Sequence, residues 1–197
     1  MTTTQSAAPP RTPDDTRRLR ACLGNFLTGV TVVTCRRGPE VHGITVNSFT
    51  SVSMDPPLVL VGLDRRSRAA GHLASGPYAI NFLTEQQREL ALHFAGRPMS
   101  GPVRWTTDTD GTPLLDGTLG HLVCRPWRHY DGGDHLLLIG AVTGFEVHGG
   151  RPLAFFRGAF PELAAQDMGA PWSGSLDDPV TPQQITAFHQ LTREGHA

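Results

Sequence analysis

The sequence predicts a mostly β domain with flanking helices, whose short antiparallel strands close into a small barrel. Three observations carry this. Short apolar runs rich in Val and Ile recur along the chain, each bounded by Gly or Pro turns. Helical patterns do not alternate one for one with these runs, which argues against a doubly wound parallel sheet. At 197 residues the chain is long enough for one ordinary domain with a sizeable core, and it shows no internal repeat.

In order, residues 1–15 read as a disordered N-terminal arm rich in Thr, Ala and Pro. Asp14 or Asp15 caps a helix from Thr16 to Leu27, with Leu19, Cys22, Leu23 and Phe26 at helical spacing and Gly29 after it. Val30 to Cys35 is a strand, Arg37-Gly38-Pro39-Glu40 a turn, and Val41 to Val46 the return strand of a hairpin. A polar segment follows, and then the strand Leu58 to Leu63. A helix runs from Arg65 to Ala74, and a strand from Tyr78 to Leu83. Thr84 and Gln87 form a capping box for a helix that ends near Ala95. Residues 96–110 form a loop that contains Trp105. Thr118 to His129 and His135 to His148 are long strands joined by the turn Asp131-Gly132-Gly133-Asp134, and Leu153 to Phe156 is a last short strand. The domain spans 16–163. Residues 164–197 are a tail, in which Thr181-Pro182-Gln183-Gln184 starts a short terminal helix.

Composition removes several function classes. Net charge is −1, so no basic surplus points to nucleic acid or a membrane surface. The 17 cationic residues are all Arg, which excludes Schiff-base lysine chemistry and a P-loop lysine. Cys22, Cys35 and Cys124 fit neither a disulfide framework nor a zinc motif. No pair of the nine histidines makes a helical metal motif or joins a Cys-x-x-Cys, so no metal is expected. There is no signal-peptide core and no membrane-length apolar run, and the expected compartment is the cytoplasm.

The most informative stretch is Thr45 to Ser53, which holds Thr45, Asn47, Ser48, Thr50, Ser51 and Ser53 between two apolar strands and ahead of Pro56-Pro57. Small hydroxyl residues let a ligand approach the backbone closely and provide donors and acceptors. Read alone, the stretch serves equally as a polar inter-strand loop. Gly133-Asp134-His135 places an acid and an imidazole at a strand start, and read alone it is also a hairpin turn with an exposed His. Arg65, Arg66 and Ser67 at a helix start suit phosphate, and equally a solvated charge cluster.

Taken together these segments resemble the flavin reductase family, the short reductase components of two-component flavin-dependent monooxygenases. The resemblance runs from Leu23 to Leu163. It rests on Thr28-Gly29-Val30-Thr31-Val32-Val33-Thr34, on His42-Gly43-Ile44-Thr45-Val46-Asn47-Ser48-Phe49-Thr50-Ser51-Val52-Ser53 with Pro56-Pro57-Leu58, and on Ser67. It continues through Tyr78-Ala79-Ile80-Asn81-Phe82-Leu83, Gln86-Gln87, His93-Phe94, Gly133-Asp134-His135, Gly140-Ala141-Val142 and Pro152-Leu153-Ala154-Phe155-Phe156-Arg157-Gly158.

The resemblance implies an FMN-binding split barrel, antiparallel and Greek-key-like. It implies transfer of hydride from NADH or NADPH to FMN or FAD and delivery of reduced flavin to a partner monooxygenase, by a homodimer with flavin near the subunit seam. Cofactor contacts are implied at Val30, Thr31, Thr45, Val46, Asn47, Ser48, Phe49, Ser51 and Ser53. The phosphate end is implied at Arg65, Ser67, His93 and Phe94, further flavin contacts at Asn81 and Phe82, and the nicotinamide side at His135. Phe155, Phe156 and Phe160 stand where the family often carries Tyr, so a hydroxyl is missing. A flavin-binding module that reduces nothing for a partner, or a flavoenzyme acting directly on a small substrate, is the alternative.

Overall fold

Thr12 opens the first helix in the computed structural model, which describes residues 12–67 and 70–164. Helix α1 spans Pro13–Leu23. The Thr12 hydroxyl accepts from the Asp15 N–H at 3.1 Å, and the Asp15 carboxylate accepts from the Thr12 N–H at 3.2 Å. This capping box with Pro at the first helical position starts the helix earlier than expected from Asp14 or Asp15, inside the segment assigned to the arm. Gly24 ends it, not Gly29, because Thr28–Gly29 pairs as strand β1.

The strands that follow are β2 (Thr31–Arg37), β3 (Glu40–Val46), β4 (Thr50–Met54) and β5 (Pro57–Asp64). After the short helix α2 (Ala70–Leu73) come β6 (Tyr78–Phe82), a 3-10 turn (Glu85–Gln87) and α3 (Arg88–Phe94). Strands β7 (Trp105–Thr107) and β8 (Pro113–Leu115) form a small ladder. The long hairpin β9 (Gly120–Gly132) and β10 (His135–Val147) precedes β11 (Ala154–Phe155), which pairs with β1. Three expectations are corrected. The helix over 65–74 shrinks to Ala70–Leu73, since Ser67 and the turn before it follow Asp64 and Arg65 into the hairpin corner. The polar segment contains strand β4, and the loop over 96–110 contains β7. The terminal helix and most of the arm lie outside the described residues.

Seven strands form one antiparallel sheet in the order β3-β2-β6-β9-β10-β5-β4. Its edge strands, β3 and β4, are consecutive in the chain, joined only by residues 47–49. Flat, such a sheet would hold its edges about 29 Å apart. The four Cα steps from Val46 to Thr50 reach at most about 14 Å. The sheet therefore curls until its edges meet at this connection, although no ladder joins them.

The curl explains the burial pattern. The inner face carries one core of Val33, Cys35, Val59, Val61, Leu63, Tyr78, Ile80, Cys124 and Leu138. Outside, α3 covers Val32, Leu83, Leu115 and Leu153, and β8 covers Ala79 and Val123. Strand β2 is thus buried on both faces from Thr31 to Cys35, whereas β5 alternates Val59, Val61 and Leu63 inward. Gly140 has no side chain because the Tyr78 ring lies against it, and an added Cβ would overlap the Tyr78 hydroxyl. No helix among the described residues is long and apolar enough to cross a membrane.

Candidate functional site

The connection at 47–49 forms one lip of a cleft of about 780 Å³. Its walls come from the end of α1 (Cys22, Leu23) and the turn after it (Phe26, Leu27), from Thr28 to Thr31, from Phe82 and Leu83 at the end of β6, and from Leu119, Pro152 and Leu153. Phe49 and Phe82 meet edge to face with centroids 5.1 Å apart, which gives the cleft a rigid aromatic floor. The volume falls in the range of cofactor sites, and an apolar cavity with a few polar groups at its rim suits a large planar ligand.

The lip is set by Ser48. Its hydroxyl donates to the Gly62 carbonyl and accepts from the Gly62 N–H, both at 2.9 Å, which pins the connection to β5. The Thr31 hydroxyl donates to the Val46 carbonyl at 3.2 Å, and the Asn47 amide reaches the Thr28 hydroxyl at 3.3 Å. Among the described residues, the backbone N–H groups of Ser48 and Phe49 find no acceptor. Adjacent free N–H groups beside an apolar floor form a nest for a ligand's carbonyl or anionic edge.

A second group of residues forms a corner beyond Gly62. A Cβ added at Gly62 would lie 3.5 Å from the Ser48 hydroxyl and 3.9 Å from His135 Cδ2, so the bare glycine separates the lip from the imidazole. Gly133, at φ +78, and Asp134 make the two-residue turn of the β9–β10 hairpin. His135 Nδ1 lies 2.6 Å from Asp134 Oδ1, and this bond lowers the Asp134 pKa. The Asp134 carboxylate fixes the ring so that its Nε2 edge is the one left available. Arg65 braces the turn: its N–H donates to the Asp134 carbonyl at 3.0 Å, its Nε to the Gly133 carbonyl at 2.9 Å, and its terminal nitrogen to Asp131 at 2.8 Å.

Of the residues the sequence singled out, Val30, Thr31, Asn47, Ser48, Phe49 and Phe82 line the cleft. Thr45 and Val46 line a neighbouring groove under α3, where the Thr45 hydroxyl donates to the Ala91 carbonyl at 2.7 Å. Ser51 and Ser53 lie on the edge strand β4. Arg65 holds the hairpin turn, and the Ser67 hydroxyl accepts from the Ala70 N–H at 3.2 Å. Asn81 is fully buried. Its amide nitrogen donates to the Val32 carbonyl and Thr34 hydroxyl, and its oxygen accepts from the Leu115 N–H, clasping β8 to β2. His93 Nδ1 accepts from the Met99 N–H, and the Phe94 ring covers Gly43, where a Cβ would sit only 2.5 Å away. None of Asn81, His93 and Phe94 lines the cleft. Sequence reasoning missed the α1 wall. The sequence signal was the apolar stripe of Leu19, Cys22, Leu23 and Phe26; in the fold none of the four is buried, and Phe26, beyond the helix end, is 77% exposed.

An open antiparallel curl with free N–H groups on the rim of an aromatic-floored cleft has the shape and donors to suit a flat, polar-edged ligand. The chain belongs to the flavin reductase like domain family, whose profile matches residues 23–164. It is 40% identical over 161 residues to an NADH-dependent flavin reductase of a Rhodococcus species, covering 78% of this chain and 90% of that protein. It is 35% identical over 168 residues to the flavin-dependent monooxygenase reductase subunit HsaB of Rhodococcus jostii, covering 83% and 86%. Among solved structures, the NADH:FAD oxidoreductase SgcE6 of Streptomyces globisporus, in complex with NAD and FAD fragments, superposes with a TM-score of 0.73 at 36% identity, covering 81% of this chain and 99% of that one.

Proposed function

We propose that the protein is an NADH-dependent flavin reductase that supplies reduced flavin to a partner monooxygenase. The observation that carries this reading is the pair of free N–H groups at Ser48 and Phe49, on the rim of an aromatic-floored cleft and one glycine away from His135. Similarity to reductases named for NADH and to a monooxygenase reductase subunit supports both the donor and the partner.

FMN or FAD would lie in the cleft. Bound together, flavin and NADH supply the hydride chemistry themselves. The chain binds and orients. Phe49 and Phe82 exclude water from one side, the nest at 47–49 holds the polar edge and favours negative charge there, and Thr28, Thr31 and Asn47 supply rim hydroxyl and amide groups. His135, held by Asp134 beside Gly62, would contact and orient the nicotinamide. A hydride step needs no general base, so its role is positional. Asn81, Arg65, Ser67, His93 and Phe94 serve by bracing the strands and corners that carry these groups.

The curled sheet is in this reading the split barrel, closed at 47–49 by the Ser48 bonds to Gly62 instead of by a ladder. The functional unit is a homodimer. Leu23, Phe26 and Leu27 are exposed at the mouth of the cleft, at 64%, 77% and 47%, and contiguous apolar surface of this kind marks an interface. A second copy would cover them and complete the site.

Anaerobic mixing of the purified protein with FMN or FAD and then NADH tests the proposal. Rapid loss of the visible flavin absorbance, with turnover when air is admitted, supports it. Flavin binding without NADH-dependent bleaching would identify a non-reducing flavin binder.

A further inference from the structure

Away from the flavin cleft, a second and more polar cleft of about 590 Å³ lies between β7–β8 and the far end of the β9–β10 hairpin. His121, Glu146 and His148 converge on it. His121 and Glu146 are direct cross-strand partners, and His148 follows one residue past the end of β10, with its ring nitrogen 3.1 Å from Glu146. One potential ligand atom from each lies within 4.8 Å of the others.

The hydrogen bonds fix what these atoms can do. His148 Nδ1 lies 3.0 Å from the Thr118 carbonyl, which can only accept, so Nδ1 carries the proton. In the neutral ring Nε2 is then a bare lone pair, and it faces Glu146 Oε2 at 3.1 Å. Two acceptors at that distance repel unless a positive charge lies between them. A histidine whose one ring nitrogen donates to a backbone carbonyl is oriented to offer the other to a metal ion, and with a proton there instead the same pair is a His148–Glu146 ion pair. The His121 ring is 6% exposed and forms no hydrogen bond among the described residues, and its centroid lies 5.7 Å from that of His148. The Asp108 carboxylate lines the same cleft and acts electrostatically on His121.

We propose that His121, Glu146 and His148 form a binding site for a divalent first-row transition-metal ion, of which zinc is the best match. Two imidazoles and one carboxylate suit zinc and its neighbours and are a poor set for magnesium or calcium, which take oxygen ligands. Tetrahedral zinc with N and O ligands places those atoms about 3.3–3.6 Å apart. The His148 Nε2 and Glu146 Oε2 atoms, 3.1 Å apart, are already close to that range, and the His121 nitrogen lies within 4.8 Å of both. The remaining position is open to water. The ion would also reach the flavin cleft indirectly. The Leu119 carbonyl accepts the His148 N–H at 2.7 Å, and the Leu119 side chain lines the wall of that cleft.

The test is a zinc titration of metal-free full-length protein by calorimetry, beside Glu146→Gln, His148→Asn and their double variant. One equivalent should bind to the parent. Each single substitution should weaken binding by more than the roughly 10-fold that loss of an outer partner costs, and the double variant should abolish it. Cobalt(II) should give intense visible bands of low-coordinate geometry in the parent and not in His148→Asn. Zinc about 100-fold above its Kd should raise the Tm of the parent by about 5 °C or more and leave the double variant unchanged. Glu146 and His148 are exposed, so these variants fold, and circular dichroism checks it. No saturable equivalent, or equal affinity in parent and double variant, overturns the proposal. Flavin reduction is not the readout, so a failed reductase assay leaves this test intact.

Discussion

His135 faces Gly62 from the neighbouring strand, its ring held at 2.6 Å by an exposed Asp134. His135→Ala should raise the KM for NADH or lower kcat by about 10-fold while flavin affinity stays unchanged, as expected for an orienting group. Unchanged steady-state kinetics would remove it from the site. The cysteines give a chemical check on burial. Desolvation raises the thiols of Cys35 and Cys124 to about 11 and about 12, whereas Cys22 is exposed on the cleft wall. At neutral pH, iodoacetamide followed by mass spectrometry should label Cys22 alone, and bound flavin should slow that labelling. Modification of Cys35 or Cys124 in the native protein would contradict the inner core as described. Asp64 is held far below the usual carboxylate range by the hydrogen bond from Arg66, with its pair at 2.7 Å. A depressed native pKa gives stability that is complete above the ordinary value of about 3.9 and is lost as pH falls below it. Asp64→Asn should therefore flatten the acid side of a Tm–pH profile, and an equally steep fall would contradict the pairing. Ser48, Asn47 and His135 were legible in the sequence because polar residues in an apolar frame stand out. The structural duty of Asn81 was not, because its partners, Val32, Thr34 and Leu115, are set by strand pairing. The His121–Glu146 pair was hidden for the same reason: 25 residues apart by their numbering, the two are joined only by hairpin register.

At the scale of elements, helix α3 is seated by Phe94 over the bare backbone of Gly43 on β3. A methyl group there would sit 2.5 Å from the ring. Gly43→Val should destabilise by about 1–3 kcal/mol through overpacking, read as a lower denaturation midpoint with unchanged m, and a midpoint equal to the parent's would contradict the contact. The curl of the sheet was readable only in part. The two hairpins β2–β3 and β9–β10 followed from alternation and turn residues. Strand β4 did not, because Thr50, Ser51 and Ser53 are too polar for a core strand. It is an edge strand, exposed along most of its length, where polar residues discourage unwanted pairing. The start of α1 was misplaced because two acidic residues, Asp14 and Asp15, looked like caps, while Asp15 acts from the third helical position on Thr12. Strands β7 and β8 are each three residues long, too short to give a period.

Across the whole molecule, Leu23, Phe26 and Leu27 are exposed on the cleft wall, and in the proposed homodimer this would tie flavin binding to assembly. Phe26→Ser should shift the protein toward monomer in sedimentation equilibrium and weaken flavin binding by about 10-fold together, with the fold intact by circular dichroism. A dimer that persists with full flavin affinity would place the interface elsewhere. The order of strands and the polar lip made the family legible from sequence, since several weak motifs in one order are jointly specific. The cleft itself was not, because it joins residues from both ends of the domain, Leu23 and Leu153 among them, that only folding brings together. The most direct test of the account is an anaerobic stopped-flow experiment in which NADH meets the protein premixed with flavin. The account predicts that the visible flavin band is lost in a single fast phase with the parent protein, and that the phase slows with His135→Ala. A flavin spectrum unmoved by NADH, or no binding of either FMN or FAD, would contradict it.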